Sequence, residues 1–147
     1  MGTTHSGKYG NPGITMNIVD AIDVITEGGP TPLLSGWIVN QVAHPKMIIA
    51  SKDRVACDSV ALAVLKKYAL AQGSTKDYTK IPVWGQRQIR HGAKKGLGTN
   101  KMPKINVKYT GLDPLEENAI KTIWEQGYSP NDSDYNIYGK PTTLLGF

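Results

Sequence analysis

The chain has 147 residues, 39% hydrophobic and 20% charged, with a net charge of +5, which is enough for one domain with a real core in ordinary soluble proportions. No apolar run reaches the length of a membrane span, and the polar start Met1–His5 has no apolar signal-peptide stretch, so the cytoplasm is the expected compartment. One cysteine, Cys57, excludes an internal disulfide and any iron–sulfur cluster held by four thiolates of this chain alone.

Residues 1–13 carry four glycines, a proline and His5, and read as a flexible lead-in. In residues 14–26 alternation puts Ile14, Met16, Ile18 and Asp20 on one face, which predicts a strand ending near Asp20. Glu27-Gly28-Gly29-Pro30 follows at once. The two glycines permit positive φ and Pro30 stiffens the exit, so the turn can aim amides at an anion or oxygens at a cation; most such turns only reverse the chain. Residues 31–45 are a Pro- and Gly-punctuated connection with a short extended piece over 39–43, and His44 reads as a loop residue.

Met47–Ala50 is a continuous apolar run bounded by Pro45 and by Ser51-Lys52-Asp53, the pattern of a short strand buried on both faces. Ser51 and Asp53 are both good N-caps for the helix that follows, because a short side-chain oxygen accepts from first-turn amides. That helix runs to about Gln72 and stops at Gly73. At 100° per residue Cys57, Val60, Val64 and Leu65 share a broad apolar arc, with Ser59, Lys66 and Lys67 marking the other side. Asp58 falls inside the arc. A core-facing carboxylate must be paired, hydrogen-bonded or protonated, so Asp58 either fixes the packing or faces a cleft and binds a metal or substrate. Cys57 on the same arc reads as a small core residue.

Ser74 to Trp84 reads as loop, and Gly85 to Lys95 as a short helix with Ile89 and Ala93 on one face, closed by Gly96-Leu97-Gly98. From Arg87 to Lys104 there are six basic residues and no acid, leaving the rest of the chain at 11 basic against 12 acidic. This segment, with Arg87 and Arg90 at its head, is either a solvated helix face or a patch for nucleic acid, a nucleotide or a protein. Lys104 to Tyr109 alternates and predicts a strand. Asp113-Pro114-Leu115-Glu116 supplies an N-cap, a proline at N1 and an acid at N3, opening a helix that Gly127 ends. The chain from Tyr128 onward reads as irregular structure over the surface. The resulting organisation is a lead-in over 1–13, an α/β domain over 14–111, and a C-terminal helix and tail over 112–147.

Two segments together resemble the domain-of-unknown-function 362 family: Asn17-Ile-Val-Asp20-Ala-Ile with Glu27-Gly-Gly-Pro30, and Ile48-Ile-Ala-Ser51-Lys-Asp53-Arg-Val-Ala-Cys-Asp58-Ser-Val-Ala61. Gly96-Leu-Gly98 before Ile105-Asn-Val107 fits the same pattern, and the similarity covers roughly residues 14–111. The resemblance implies a redox-linked setting, since many members carry a ferredoxin-like cluster module, although the cysteines for one are absent here. It also implies that more α/β sequence precedes the Asp20 strand, making this chain a fragment, a minimal member, or half of a sheet completed by another copy.

The expected architecture is an α/β domain with a mixed or parallel central sheet, flanking helices and an irregular tail. Ligands of such sheets bind beyond the carboxyl ends of the strands, where Asp20 and the Ser51–Asp58 turn are expected to meet with Glu27. Converging acids repel unless a cation or shared proton relieves them. The leading reading is therefore a divalent cation, Mg²⁺ or Mn²⁺, held by Asp20, Glu27 and Asp58, with a small anionic ligand contacted by Gly28, Gly29, Ser51, Asp53, Arg87 and Arg90. Asp113 and Gly73 are structural, and Asp53 also reads as the helix cap. The rival reading is a non-enzymatic module whose basic 87–104 segment binds a partner protein, a sister subunit or nucleic acid. His5, His44 and His91 have no ligand spacing, which argues against zinc.

Overall fold

The computed structural model describes residues 16–27, 42–136 and 138–141. The lead-in, His5, the Gly28-Gly29-Pro30 turn and most of the 31–45 connection lie outside them. The first strand, β1 (Asn17–Ala21), pairs antiparallel with β4 (Met47–Ser51), with Asn17 opposite Ser51 and Ala21 opposite Met47. Two shorter strands, β2 (Val24–Ile25) and β3 (Val42–Ala43), pair antiparallel further along the chain. The Lys46 amide bonds the Ile22 carbonyl (3.1 Å) between the two ladders. Among the described residues every strand pair is antiparallel and two-stranded.

Helix α1 (Arg54–Ala71) lies against this hairpin. The Asp53 side chain caps it by accepting from the Ala56 amide (2.8 Å), and it ends at Gln72 before Gly73, whose φ of +76° is cheap for glycine alone. Its buried surface includes Cys57 and Val64 of the arc expected from periodicity but extends beyond it. Ser59 and Lys66, assigned to the solvent side, are both buried. The reason is that α1 is packed on two sides. Cys57, Val60 and Val64 face the hairpin side, while Ser59 meets the tryptophan cluster and Lys66 reaches the Ile81 carbonyl. Small residues such as Ser59 and Ala63 allow the second contact, and an apolar-moment reading does not register small or snorkelling side chains.

The 74–84 segment, expected as loop, contains a one-turn helix α2 (Asp77–Lys80) and a 3₁₀ turn at Val83–Gly85. Helix α3 (Arg87–Lys94) buries Ile89 as its periodicity predicts. Helix α4 (Pro114–Glu125) is capped by Asp113, which accepts from the Leu115 amide (2.8 Å), and it packs along α1. The core gathers where α1, α3 and α4 meet. Trp84 and Trp124 pack edge to face at 5.2 Å; the Trp84 indole donates to the Trp124 carbonyl (2.6 Å) and the Trp124 indole to Ser59 Oγ (2.9 Å). Both buried N–H groups are therefore satisfied. This core includes Ile120, Trp124 and Tyr135, so it crosses the boundary placed at residue 112. The tail holds its place through backbone contact: a Cβ on Gly85 would stand 1.9 Å from the Gly139 carbonyl oxygen.

Candidate functional site

The turn from Ser51 to Asp58 is built largely from its own side chains. Ser51 Oγ accepts from the Asp53 amide (3.0 Å). Asp53 Oδ1 accepts from Ala56 (2.8 Å) and Oδ2 from the Thr99 amide (2.8 Å). A single carboxylate thus ties the start of α1 to the Gly96-Leu97-Gly98 segment. Gly98 is required for that approach, because a Cβ there would lie 2.0 Å from Asp53 Oδ1 and 2.9 Å from the Val55 amide. Both oxygens of Asp53 are occupied within the chain.

Asp58 sits in α1 one turn beyond the cap. It is exposed, not core-facing, because its arc neighbours Ala61, Leu62 and Leu65 line a depression of about 340 Å³ at the free edge of β1. Partial burial there pushes its carboxyl above the ordinary aspartate range. Asp20 borders the same depression, and its Oδ1 accepts from the Ile22 amide (2.9 Å) in a local turn. Glu27 is elsewhere. Its neighbour Thr26 donates to the Gln72 side chain and receives the Tyr78 hydroxyl, which fixes it beside the far end of α1. The 14 residues from Asp58 to Gln72 span about 21 Å of helix. Among the described residues no group of three or more His, Cys, Asp or Glu side chains is close enough to hold a metal ion. Gly28 and Gly29 lie outside the described residues. His44, read as a loop residue, has Nδ1 2.6 Å from Asp23 Oδ1 on the surface.

The basic segment is substantially committed to holding the tail. Arg90 donates to the carbonyls of Asp132 and Asn136 (3.2 Å each) and lies over the Tyr135 ring. Lys94 pairs with Asp132 (3.2 Å), and Lys101 Nζ donates to the Pro130 carbonyl (2.5 Å). Arg87 and Lys104 stand exposed. Two buried ionisable groups lie on α1: Cys57, read from the sequence as a core residue, and Lys66, read as solvent-facing. Lys66, 4% exposed, has its pKa lowered by burial to about 8. Cys57, at the junction with the hairpin, has its thiol pushed up by burial and then by Asp58 and Asp53.

The hairpin has an inner and an outer face. Val19, Ala21, Met47 and Ile49 turn toward the core side, whereas Ile18, Asp20, Ile48 and Ala50 are exposed. Ile18 is 65% and Ile48 70% exposed, with Met16 at 55% just before β1. The grouping of Met16, Ile18 and Asp20 on one face is correct, but that face is open. Burial of Met47–Ala50 on both faces is not found, because no second layer covers the outer side among the described residues.

The edge of β4 away from β1 borders a groove of about 620 Å³. Its opposite wall is the stretch expected as a strand. Residues 105–110 alternate half-buried and exposed as a strand does, yet they form no ladder. The groove floor is Cys57, Val60 and Val64 of α1 and Ile120 of α4. Among the described residues no helix is long and apolar enough to cross a membrane. No family model, curated protein or solved structure matches the chain.

Proposed function

We propose that the chain is a non-enzymatic interaction module of an α/β protein resembling the domain-of-unknown-function 362 family, and that it assembles with a sister subunit through the open face of the β1–β4 sheet. The observation that carries this reading is the exposure of Ile18 and Ile48 on strands whose sequence is that of a covered sheet. With Met16 and Ala50 they present roughly 400 Å² of apolar surface, the size of the largest patch on a typical monomer, which is often functional. Two such faces meeting bury about twice that as an apolar centre, and a polar rim brings the total to the roughly 1,200–2,000 Å² of stable interfaces. Asp20 lies in this face with one oxygen already accepting a backbone bond, which reduces the cost of covering it. The mixed or parallel sheet expected from the sequence belongs to this proposal, with the antiparallel β1–β4 pair as one part of it. The cytoplasmic compartment and the redox association rest on the sequence and the resemblance.

Sedimentation velocity from micromolar to near-millimolar concentration tests it. The expected result is a reversible dimer that becomes monomeric in the Ile18→Lys/Ile48→Lys double variant, whose melting temperature matches the wild type's at a concentration where both are monomeric. A wild-type chain that stays monomeric throughout the range overturns the reading.

A second reading is favoured by one observation, the shared depression of Asp20 and Asp58. Two carboxylates, one of them partly desolvated, favour a divalent cation such as Mg²⁺ or Mn²⁺, to which a small anionic ligand could attach. A ligand that binds only the folded state raises the melting temperature. A rise with Mg²⁺ or Mn²⁺ that Asp58→Asn abolishes supports this reading, and the absence of any rise removes it.

A further inference from the structure

We infer that the groove between β4 and residues 105–110 accepts one extended strand of another polypeptide, with apolar side chains at every second position. Hydrogen-bonding complementarity defines the occupant. Among the described residues the β4 edge on this side is unpaired, and the backbone groups of Asn106 to Thr110 make no hydrogen bond. Two facing rows of extended backbone without partners call for a third row between them, because unpaired strand edges are templates for pairing. The Tyr109 hydroxyl on the same wall is also buried without a partner among the described residues.

The size of the groove fits one strand. Five extended residues are about 17 Å long, and a strand takes about 4.8 Å of sheet width. At the footprint of one such strand the 620 Å³ volume gives a depth of about 8 Å, room for the strand and its inward side chains. The half-buried apolar side chains lining the groove include Met47, Ile49, Val60, Ile105 and Val107, so alternate residues of the guest must be apolar.

Direction follows from the anchors. Strand β4 runs toward the start of α1. Residues 105–110 begin near that same end, where Thr99 is tied to Asp53, and run toward α4, whose Glu116 meets Lys67 and Tyr68 in the second half of α1. The two walls are therefore antiparallel, and a single strand between them is parallel to one and antiparallel to the other. A mixed sheet results. The chain's own residues outside the description do not match the guest: in 1–15, 28–41 and 142–147 no five consecutive residues alternate apolar and polar without Gly or Pro.

Ile48 lines the groove but Ile18 does not, so the Ile18→Lys variant leaves every groove-lining residue in place while disturbing the open face, and the two proposals fail independently. The test is selection of a displayed random nonapeptide library on the full chain carrying that single substitution. It is followed by amide hydrogen exchange, read by NMR, with the enriched peptide bound. The expected consensus has apolar residues at every second position. Protection is expected at every second amide of 105–110 and at the β4 amides not already facing β1, because alternate amides of a strand point to opposite sides. A consensus without that period, no enrichment over an unrelated immobilised protein, or protection confined to one wall overturns the inference.

Discussion

Replacing Asp53 with alanine removes two contacts at once, and the structure allows both to be weighed. The Oδ1 bond to Ala56 (2.8 Å) is a helix N-cap, worth about 1 kcal/mol and up to about 2. The Oδ2 bond to Thr99 (2.8 Å) is a charge-assisted bond from a half-buried carboxylate to an amide, worth about 1.5–3 kcal/mol. Their sum is about 2.5–5 kcal/mol, and because both orient one side chain the lower half is expected. For a chain of this size the melting temperature should fall by roughly 5–15 °C. Asp53→Asn keeps an acceptor for one amide but presents an N–H₂ group to the other, and should lose about half as much. Chemical denaturation followed by circular dichroism measures these losses. Gly98→Ala adds a sharper arm, since its Cβ collides first with Asp53 Oδ1 and Cγ. Alanine at 98 should therefore cost clearly less in the Asp53→Ala background than in the wild type. Loss below about 0.5 kcal/mol for Asp53→Ala, the usual range for surface substitutions, would refute the account of the turn.

Two further outcomes follow from the core. Burial lowers the Lys66 pKa to about 8 from 10.5, so between those values the unfolded chain binds the extra proton. Wild-type stability should rise from pH 8 toward pH 9.5 relative to Lys66→Met, by an amount on the order of 2 kcal/mol, and parallel profiles from urea unfolding would contradict the burial. Ser59→Ala strips the acceptor from the buried Trp124 indole and should cost about 1–3 kcal/mol with little change in volume, measured by thermal unfolding; a neutral result would mean the indole has another partner.

Local signals in the sequence were strong where one or two residues decide a conformation. Asp53 and Asp113 cap their helices, Gly73 and Gly127 end them in the left-handed region, and Ile89 is buried on its short helix. The alternation of Met16, Ile18 and Asp20 identified a face but not what lies over it, because period two says which side chains go together and not whether they are covered. The two-sided packing of α1 was invisible for a related reason: Ser59 and Lys66 count as polar, yet one satisfies an indole and the other reaches a carbonyl. The expected meeting of Glu27 with Asp58 failed on distance. Both follow strands, but the hairpin carries Glu27 to the far end of the helix, and pairing partners cannot be read from one chain's alternation. The link from Asp53 to Gly98 was legible only as two separate motifs. Their contact depends on a glycine whose missing Cβ leaves room for a carboxylate.

The central claim is that the outer face of the β1–β4 sheet is bare within the single chain and is there to be covered by another. The stability of Ile48→Lys, measured by urea unfolding at a concentration where the protein is monomeric, tests this most directly. With Ile48 70% exposed, the account predicts a change within about 0.5 kcal/mol. A loss of about 2 kcal/mol or more, the cost of placing a charge into a packed site, would mean that the chain covers this face itself and would contradict the proposal.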